Sequence, residues 1–124
     1  MKVAILGFGG QGQTALEYWS NLGDEVTVCD KNTDLSVPDG VSTQLGDRYL
    51  DGLDAFDLLV RTPALHPIEI VKANRDVDNI LDKVTTVTNE FFRVCPSTNI
   101  IGVTGTKGKG TTSSLIAKML RQQH

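Results

Sequence analysis

Two glycine-rich stretches hold the residues whose types and spacing could do chemistry, and both suit the binding of phosphate. The later one, Gly102-Val103-Thr104-Gly105-Thr106-Lys107-Gly108-Lys109-Gly110-Thr111-Thr112, follows the apolar pair Ile100-Ile101. Glycines at 105, 108 and 110 let consecutive backbone N–H groups turn toward one anion, and Lys109 adds a mobile charge at the mouth. Gly105, Thr106, Lys107, Gly108, Lys109, Gly110, Thr111 and Thr112 are therefore candidate ligands of a polyphosphate. The standard phosphate-loop pattern has glycine where Val103 stands and Ser or Thr where Gly110 stands, so the match is not to that pattern. The earlier stretch, Gly7-Phe8-Gly9-Gly10-Gln11-Gly12, fits a dinucleotide-type fingerprint. Its first glycine permits a tight turn, the second a close backbone approach to a diphosphate, and the third close helix packing.

The flanking elements must place these loops. Lys2 to Leu6 is a short apolar run that reads as a strand, and Ala15, Leu16, Trp19 and Leu22 form a helical stripe ended by Gly23. Glu25 to Cys29 reads as a second strand closed by Asp30, an acid near the position of a ribose-binding carboxylate. Lys31 to Gly40 turns polar and reads as a loop, with a short third strand at Val41 to Leu45 and a turn or short helix over Asp47 to Leu53. Leu58-Leu59-Val60 is a buried parallel strand running out to Arg61, and Thr62-Pro63-Ala64 follows at its carboxyl end, where such sheets bind ligands. Pro67 suits the first position of a helix carrying Ile68 and Val71. His66, beside it, carries no assigned chemistry.

Val77, Ile80 and Leu81 could form a helical turn or a loop. Five β-branched or hydroxyl residues, Val84 to Thr88, predict a strand. A short helix over Asn89 to Val94 follows, with Phe91 and Phe92 as core aromatics. Asn99 to Thr104 is the expected strand before the second glycine loop, and Leu115, Ile116, Met119 and Leu120 share one face of the helix after it. The fold class expected is α/β: a Rossmann-like parallel sheet with helices on both faces, followed by the first strand, phosphate loop and helix of a truncated second domain.

The chain has 124 residues, enough for one ordinary domain and its core but not for two complete α/β domains. A net charge of -3, from 12 basic and 15 acidic residues without a basic run, argues against a broad nucleic-acid surface. Cys29 and Cys95 have no metal-ligand spacing and do not make a disulfide framework, so reduced thiols are expected. No apolar run reaches the length of a membrane span, and Met1-Lys2-Val3 enters a strand without a signal peptide. A cytoplasmic location is the expectation.

Thr-Gly-Thr-Lys-Gly-Lys-Gly-Thr-Thr at 104–112 resembles the phosphate loop of the Mur ligases and their folylpolyglutamate synthase relatives. The order of signals extends the likeness over the whole chain: an initial Gly-x-Gly-x-x-Gly loop, Asp-Lys closing the second strand, Thr-Pro-Ala after the fourth, and the late glycine loop. It is similar to the amino-terminal part of the Mur ligase that adds D-glutamate to UDP-N-acetylmuramoyl-L-alanine in peptidoglycan synthesis. The resemblance implies a first domain, residues 1–96, that binds the UDP end of the substrate, and the incomplete start of an ATP-binding domain at 97–124. It implies that Gly9, Gly10, Gln11, Gly12 and Gln13 lie against the diphosphate and uracil, that Asp30 and Lys31 edge the uridine, and that Thr62, Pro63 and Ala64 complete that wall. Glu90, in Thr-Asn-Glu-Phe-Phe, matches a structural element of the family.

ATP and Mg²⁺ are the cofactors implied, with Lys109 as the catalytic cation and Thr111 as the Mg²⁺ ligand in place of the hydroxyl that Gly110 lacks. Lys107 stands where the family usually has Asn. On this reading the 124 residues alone are inactive, and the helix after the loop covers its apolar face on its own first domain or on another copy. The early glycine loop and Asp30 also leave open an NAD-binding regulatory or dehydrogenase-type module. A folylpolyglutamate synthase-like ligase fragment, or a noncatalytic domain whose glycine loops are only turns, completes the alternatives.

Overall fold

The computed structural model describes residues 1–123 and separates the chain into two units, Met1–Val94 and a second beginning at Cys95. In the first, β1 (Lys2–Leu6), β2 (Glu25–Asp30), β3 (Ser42–Leu45), β4 (Leu58–Arg61) and β5 (Val84–Thr85) form one sheet in the order β3-β2-β1-β4-β5. Every pairing is parallel. The chain thus starts in the middle of the sheet, winds outward to β3, and crosses back over β1 to β4. Such a reversal of direction leaves a crevice at the carboxyl ends of β1 and β4.

The period-two alternation of β1 explains why both faces must be covered. Val3 and Ile5 point into one core with Ala15, Leu16 and Trp19 of α1 (Gly10–Asn21), together with Val26, Val28 and Val60. Ala4 and Leu6 point into the other, with Cys29, Leu53, Leu59 and Ile80 and with Ile70 of α2 (Pro67–Ala73). Trp19 is 2% exposed and meets Tyr18 edge-on at 4.9 Å, so α1 is pinned by its largest side chain. Gly23, with φ of 84°, ends this helix region in the conformation that a side chain disfavours. Pro67 takes the first position of α2, and His66 caps that helix by accepting the Ile68 N–H on Nδ1 at 3.2 Å.

Between β3 and β4 there is no full helix, only a loop with a 3₁₀ turn at Leu53–Ala55. Two amide side chains hold it. Gln44 donates to the carbonyls of Tyr49 and Asp51, and the buried Asn74 donates to those of Leu50 and Ile70 while accepting the Leu53 N–H. A buried polar side chain is tolerated here because its bonding capacity is used by main-chain groups that would otherwise be orphaned.

Cys29 sits at the centre of the second core, and burial pushes its thiol up to about 12. Since the thiolate is the reactive form, a disulfide reagent at pH 8 is expected to find Cys29 inert in the native protein and reactive in denaturant. Rapid native reaction of Cys29, located by peptide mass, would contradict its placement.

Three sequence expectations are corrected. The strand at 84–88 stops at Thr85, because α3 (Val87–Val94) takes over two residues later; only Val84 and Thr85 find partners on β4. Phe91 and Phe92 are not core aromatics but are 54% and 51% exposed, since α3 turns Val87 toward the first core instead. Asn99 to Thr104 forms no strand: β-branched content supplies propensity, but among the described residues no neighbouring strand pairs with it. The second unit contains the helix α4 (Lys109–Arg121).

Contact of α3 with α1 includes a hydrogen bond from the Tyr18 hydroxyl to Glu90, which also pairs with Arg93. The Arg93 hydrogen bond holds the Glu90 carboxyl below the usual range, against the opposing effect of burial and with help from Tyr18. A carboxylate with a depressed folded-state pKa stabilises the fold above its ordinary value, and that contribution disappears as pH falls through the depressed one. The stability difference between wild type and Glu90→Gln is therefore expected to be present at pH 7, under about 1 kcal/mol because the Arg93 partner is solvent-exposed, and to be smaller at pH 3, below the ordinary carboxyl value. Denaturant titrations at both pH values check this, and a difference that grows on acidification would refute it.

Candidate functional site

The carboxyl ends of β1, β2 and β4 converge on two adjoining clefts. One, of ≈ 390 Å³, is lined by Gly7, Phe8, Gly9, Gly10, Gln11, Asp30, Thr62, Pro63 and Ala64. The other, of ≈ 190 Å³, shares Gly7, Asp30, Thr62 and Ala64 and adds Lys31, Tyr49 and Leu65.

The turn at the end of β1 is built by close approaches that exclude side chains. Gly7 has φ of 104°, and a Cβ on it would stand 2.4 Å from Thr62 Oγ1. Its N–H donates to the Cys29 carbonyl at 2.8 Å, while the N–H and hydroxyl of Thr62 both donate to the Leu6 carbonyl at 3.1 Å. A Cβ on Gly12 would meet the Gly7 carbonyl oxygen at 2.3 Å. Gly9 and Gly10, by contrast, face open space.

Helix α1 starts at Gly9 without a side-chain cap and with no acid in its first turn. Among the described residues, the main-chain N–H groups of Gly9, Gly10, Gln11 and Gly12 find no acceptor, the first helical bond of this turn being Gln13 N–H to the Gly9 carbonyl. A glycine N-cap gives up the stability of a Ser, Thr, Asp or Asn cap. An external anion can supply the missing acceptors and complement the helix dipole.

The opposite wall is a turn over 62–65 with Pro63 in its second position, closed by Leu65 N–H to the Thr62 carbonyl at 3.1 Å. Arg61 braces it by donating to the Leu65 carbonyl at 2.9 Å. Asp30, at the end of β2, accepts the Phe8 N–H on Oδ2 at 2.7 Å and the Asn32 N–H on Oδ1 at 2.8 Å.

Of the residues singled out from the sequence, Gly9, Gly10, Gln11, Asp30, Thr62, Pro63 and Ala64 line one cleft and Lys31 lines its neighbour. Gly12 is buried beneath, as packing. Gln13 turns away into a separate ≈ 620 Å³ cleft between α1 and the 31–41 loop, with Phe8, Leu16 and Val41. The sequence marks Arg61 only as the end of a strand and Tyr49 not at all; an arginine closing a parallel strand just before a proline turn is a signal for the first, and nothing local marks the second. Phe8 appeared only as a filler between glycines, yet its N–H is the group that Asp30 holds.

In the second unit, Gly105 has φ of 154° and Gly108, the N-cap of α4, has φ of 75°. Lys109, Gly110 and Thr111 open the helix with N–H groups that lack an acceptor among the described residues; Thr112 N–H donates to the Gly108 carbonyl. The Ser113 hydroxyl is occupied by the carbonyls of Lys109 and Gly110. Gly105 to Thr112 are all exposed, and the first turn again contains no acid.

No protein-family model matches the chain. Curated UDP-N-acetylmuramoylalanine–D-glutamate ligases from Clostridium tetani, Acetivibrio thermocellus and Clostridium acetobutylicum are 36%, 35% and 33% identical, each aligned with 98% of the chain. The chain is a homologue of these ligases. It spans about 28% of their length. Among solved structures, the Kef CTD of Shewanella denitrificans in AMP-bound form matches this ligase homologue with a TM-score of 0.52 at 20% identity. That match covers 97% of this chain and 80% of the other, a likeness of fold. No helix among the described residues of the homologue is long and apolar enough to cross a membrane.

Proposed function

We propose that this chain is an amino-terminal part of an ATP-dependent ligase that joins D-glutamate to UDP-N-acetylmuramoyl-L-alanine, a cytoplasmic step of peptidoglycan synthesis and so of cell-wall growth, division and shape. The observation that carries this reading is the row of unpartnered amides at Gly9, Gly10 and Gln11, which opens on a cleft at the carboxyl edge of a sheet homologous to those ligases. In it, Gly9, Gly10 and Gln11 hold the diphosphate, Thr62, Pro63 and Ala64 form the facing wall, and Lys31 edges the uridine beside Asp30. Gly12 contributes by letting α1 start close to the turn.

Residues 1–96 are then the substrate-binding domain and 97–124 the start of the ATP-binding domain. The amides at the start of α4, with Lys109 and Lys107, suit a triphosphate, whose negative charge offsets the lysines crowded at a positive helix end. Among the described residues no group of three or more His, Cys, Asp or Glu side chains is placed to hold a metal ion. A Mg²⁺ in this unit would accordingly draw oxygens from the nucleotide phosphates and from the Thr111 hydroxyl. In the whole enzyme the chemistry would be γ-phosphoryl transfer from ATP to the substrate carboxylate, attack of the D-glutamate amine on the acyl phosphate, and loss of phosphate. Lys109 and the loop amides would neutralise charge on the group in transfer.

Calorimetry with UDP-N-acetylmuramoyl-L-alanine, NADH and Mg-ATP tests the assignment. Binding of the uridine nucleotide, with none of NADH, is the expected result. Binding of NADH alone would overturn the ligase reading in favour of a dinucleotide module.

A further inference from the structure

Parallel pairing brings the segment after β3 to the side of the clefts. Asp30 at the end of β2 stands level with Leu45 of β3, and the next residue, Gly46, donates its N–H to the Asp30 carbonyl at 2.9 Å. Three residues on, Tyr49 is held by its own main chain: its N–H donates to the Gly46 carbonyl at 3.1 Å, and its carbonyl accepts Gln44 Nε2 at 3.0 Å. The ring is partly buried against the second core. It lines both the ≈ 190 Å³ cleft and a further groove of ≈ 380 Å³ that contains Lys31 and Lys72. Burial first, and then the nearby Asp30 carboxylate, raises the phenol above its ordinary value, so the ring is uncharged at neutral pH.

Gly9, Gly10 and Gln11 line the ≈ 390 Å³ cleft and not the smaller one, while Gly7, Asp30, Thr62 and Ala64 are common to both. A nucleotide whose diphosphate sits on those amides and whose ribose reaches the end of β2, the usual course in a dinucleotide fold, therefore delivers its base toward Lys31 and Tyr49. Phe8, the aromatic of the first cleft, is only 7% exposed. Among the described residues lining the two clefts, Tyr49 is thus the aromatic side chain with ring surface to offer. We propose that Tyr49 is a specificity-determining residue for the base: the uracil stacks on its ring, and the cleft thereby selects a planar, unsaturated base. This rests on the uridine-diphosphate reading of the cleft and deepens it.

The test compares UDP with 5,6-dihydro-UDP, whose base keeps the same N–H and carbonyl groups but is puckered and lacks an aromatic face. Calorimetry is run on wild type, Tyr49→Phe and Tyr49→Leu, and the uracil H5 and H6 resonances of UDP are followed by NMR. Wild type is expected to bind UDP about tenfold more tightly than its dihydro analogue, within the range of a base stacked on an aromatic side chain, and to shift H5 and H6 upfield by the ring current. Tyr49→Phe is expected to keep both the preference and the shift. Tyr49→Leu, which retains apolar bulk against the core, is expected to bind the two nucleotides equally and to lose the shift. If the leucine variant does not fold, the wild-type preference and the ring-current shift carry the test. An equal affinity of wild type for the two nucleotides would overturn the proposal, as would a preference that survives in Tyr49→Leu. Failure of wild type to bind either nucleotide would instead overturn the uridine-diphosphate reading, and the proposal with it.

Discussion

Gly9→Val is expected to weaken UDP binding by about a hundredfold while leaving the melting temperature unchanged. The backbone at Gly9, with φ of -80° and ψ of -162°, is extended and open to any residue, and a Cβ there meets nothing within 4 Å. The folded chain therefore has no objection to valine. The ligand does: Gly9 lines the cleft at the first free amide, and a branched side chain occupies the space through which a diphosphate must approach the backbone. Hydrogen bonds to charged groups are worth about 1.5–3 kcal/mol each, so denying that approach is equivalent to roughly two decades in Kd. Calorimetry paired with a thermal scan reads both halves of the expectation. Undiminished affinity would remove Gly9 from the site, and a lowered melting temperature would give it a structural role instead.

Gly12→Ala is expected to do the reverse, destabilising the first unit by about 3 kcal/mol. The added Cβ would lie 2.3 Å from the Gly7 carbonyl oxygen and 3.1 Å from its carbon. Both are main-chain atoms of a turn held by hydrogen bonds to β2, so no rotamer change can relieve the contact. A loss of this size lowers the melting temperature by more than about 12 °C in a unit of this length. A melting temperature within 2–3 °C of wild type, about the effect of half a kcal/mol, would mean that α1 does not start against the β1 turn. Two glycines three positions apart thus separate by function: one keeps space for a ligand, the other for the chain itself.

Much of this was legible in the residues. The apolar run from Val3 to Leu6 read as a strand, and Ala15, Leu16 and Trp19 as the inner stripe of a helix after it; the structure has both. Local chemistry also marked the loop breaks at Gly23 and Pro67. What misled was propensity read without neighbours. Asn99 to Thr104 has the composition of a strand but no ladder, and Val87 and Thr88 joined a helix because β5 finds only two partners on β4. Gln13 followed the helical phase of α1 rather than the sense of the motif, and so faces a different cleft from Gly9.

By itself the sequence determined the βαβ beginning and the two glycine loops, because turn geometry and amphipathic periods are local and depend on residues a few positions apart. Only the tertiary structure decided which of those residues share a cleft and what each does there. Asp30 meets Phe8, Thr62 meets Gly7 and Asn74 meets Leu50 because parallel pairing brings distant strand ends together in one register. That register is set by the burial of whole faces, which no short stretch of residues specifies.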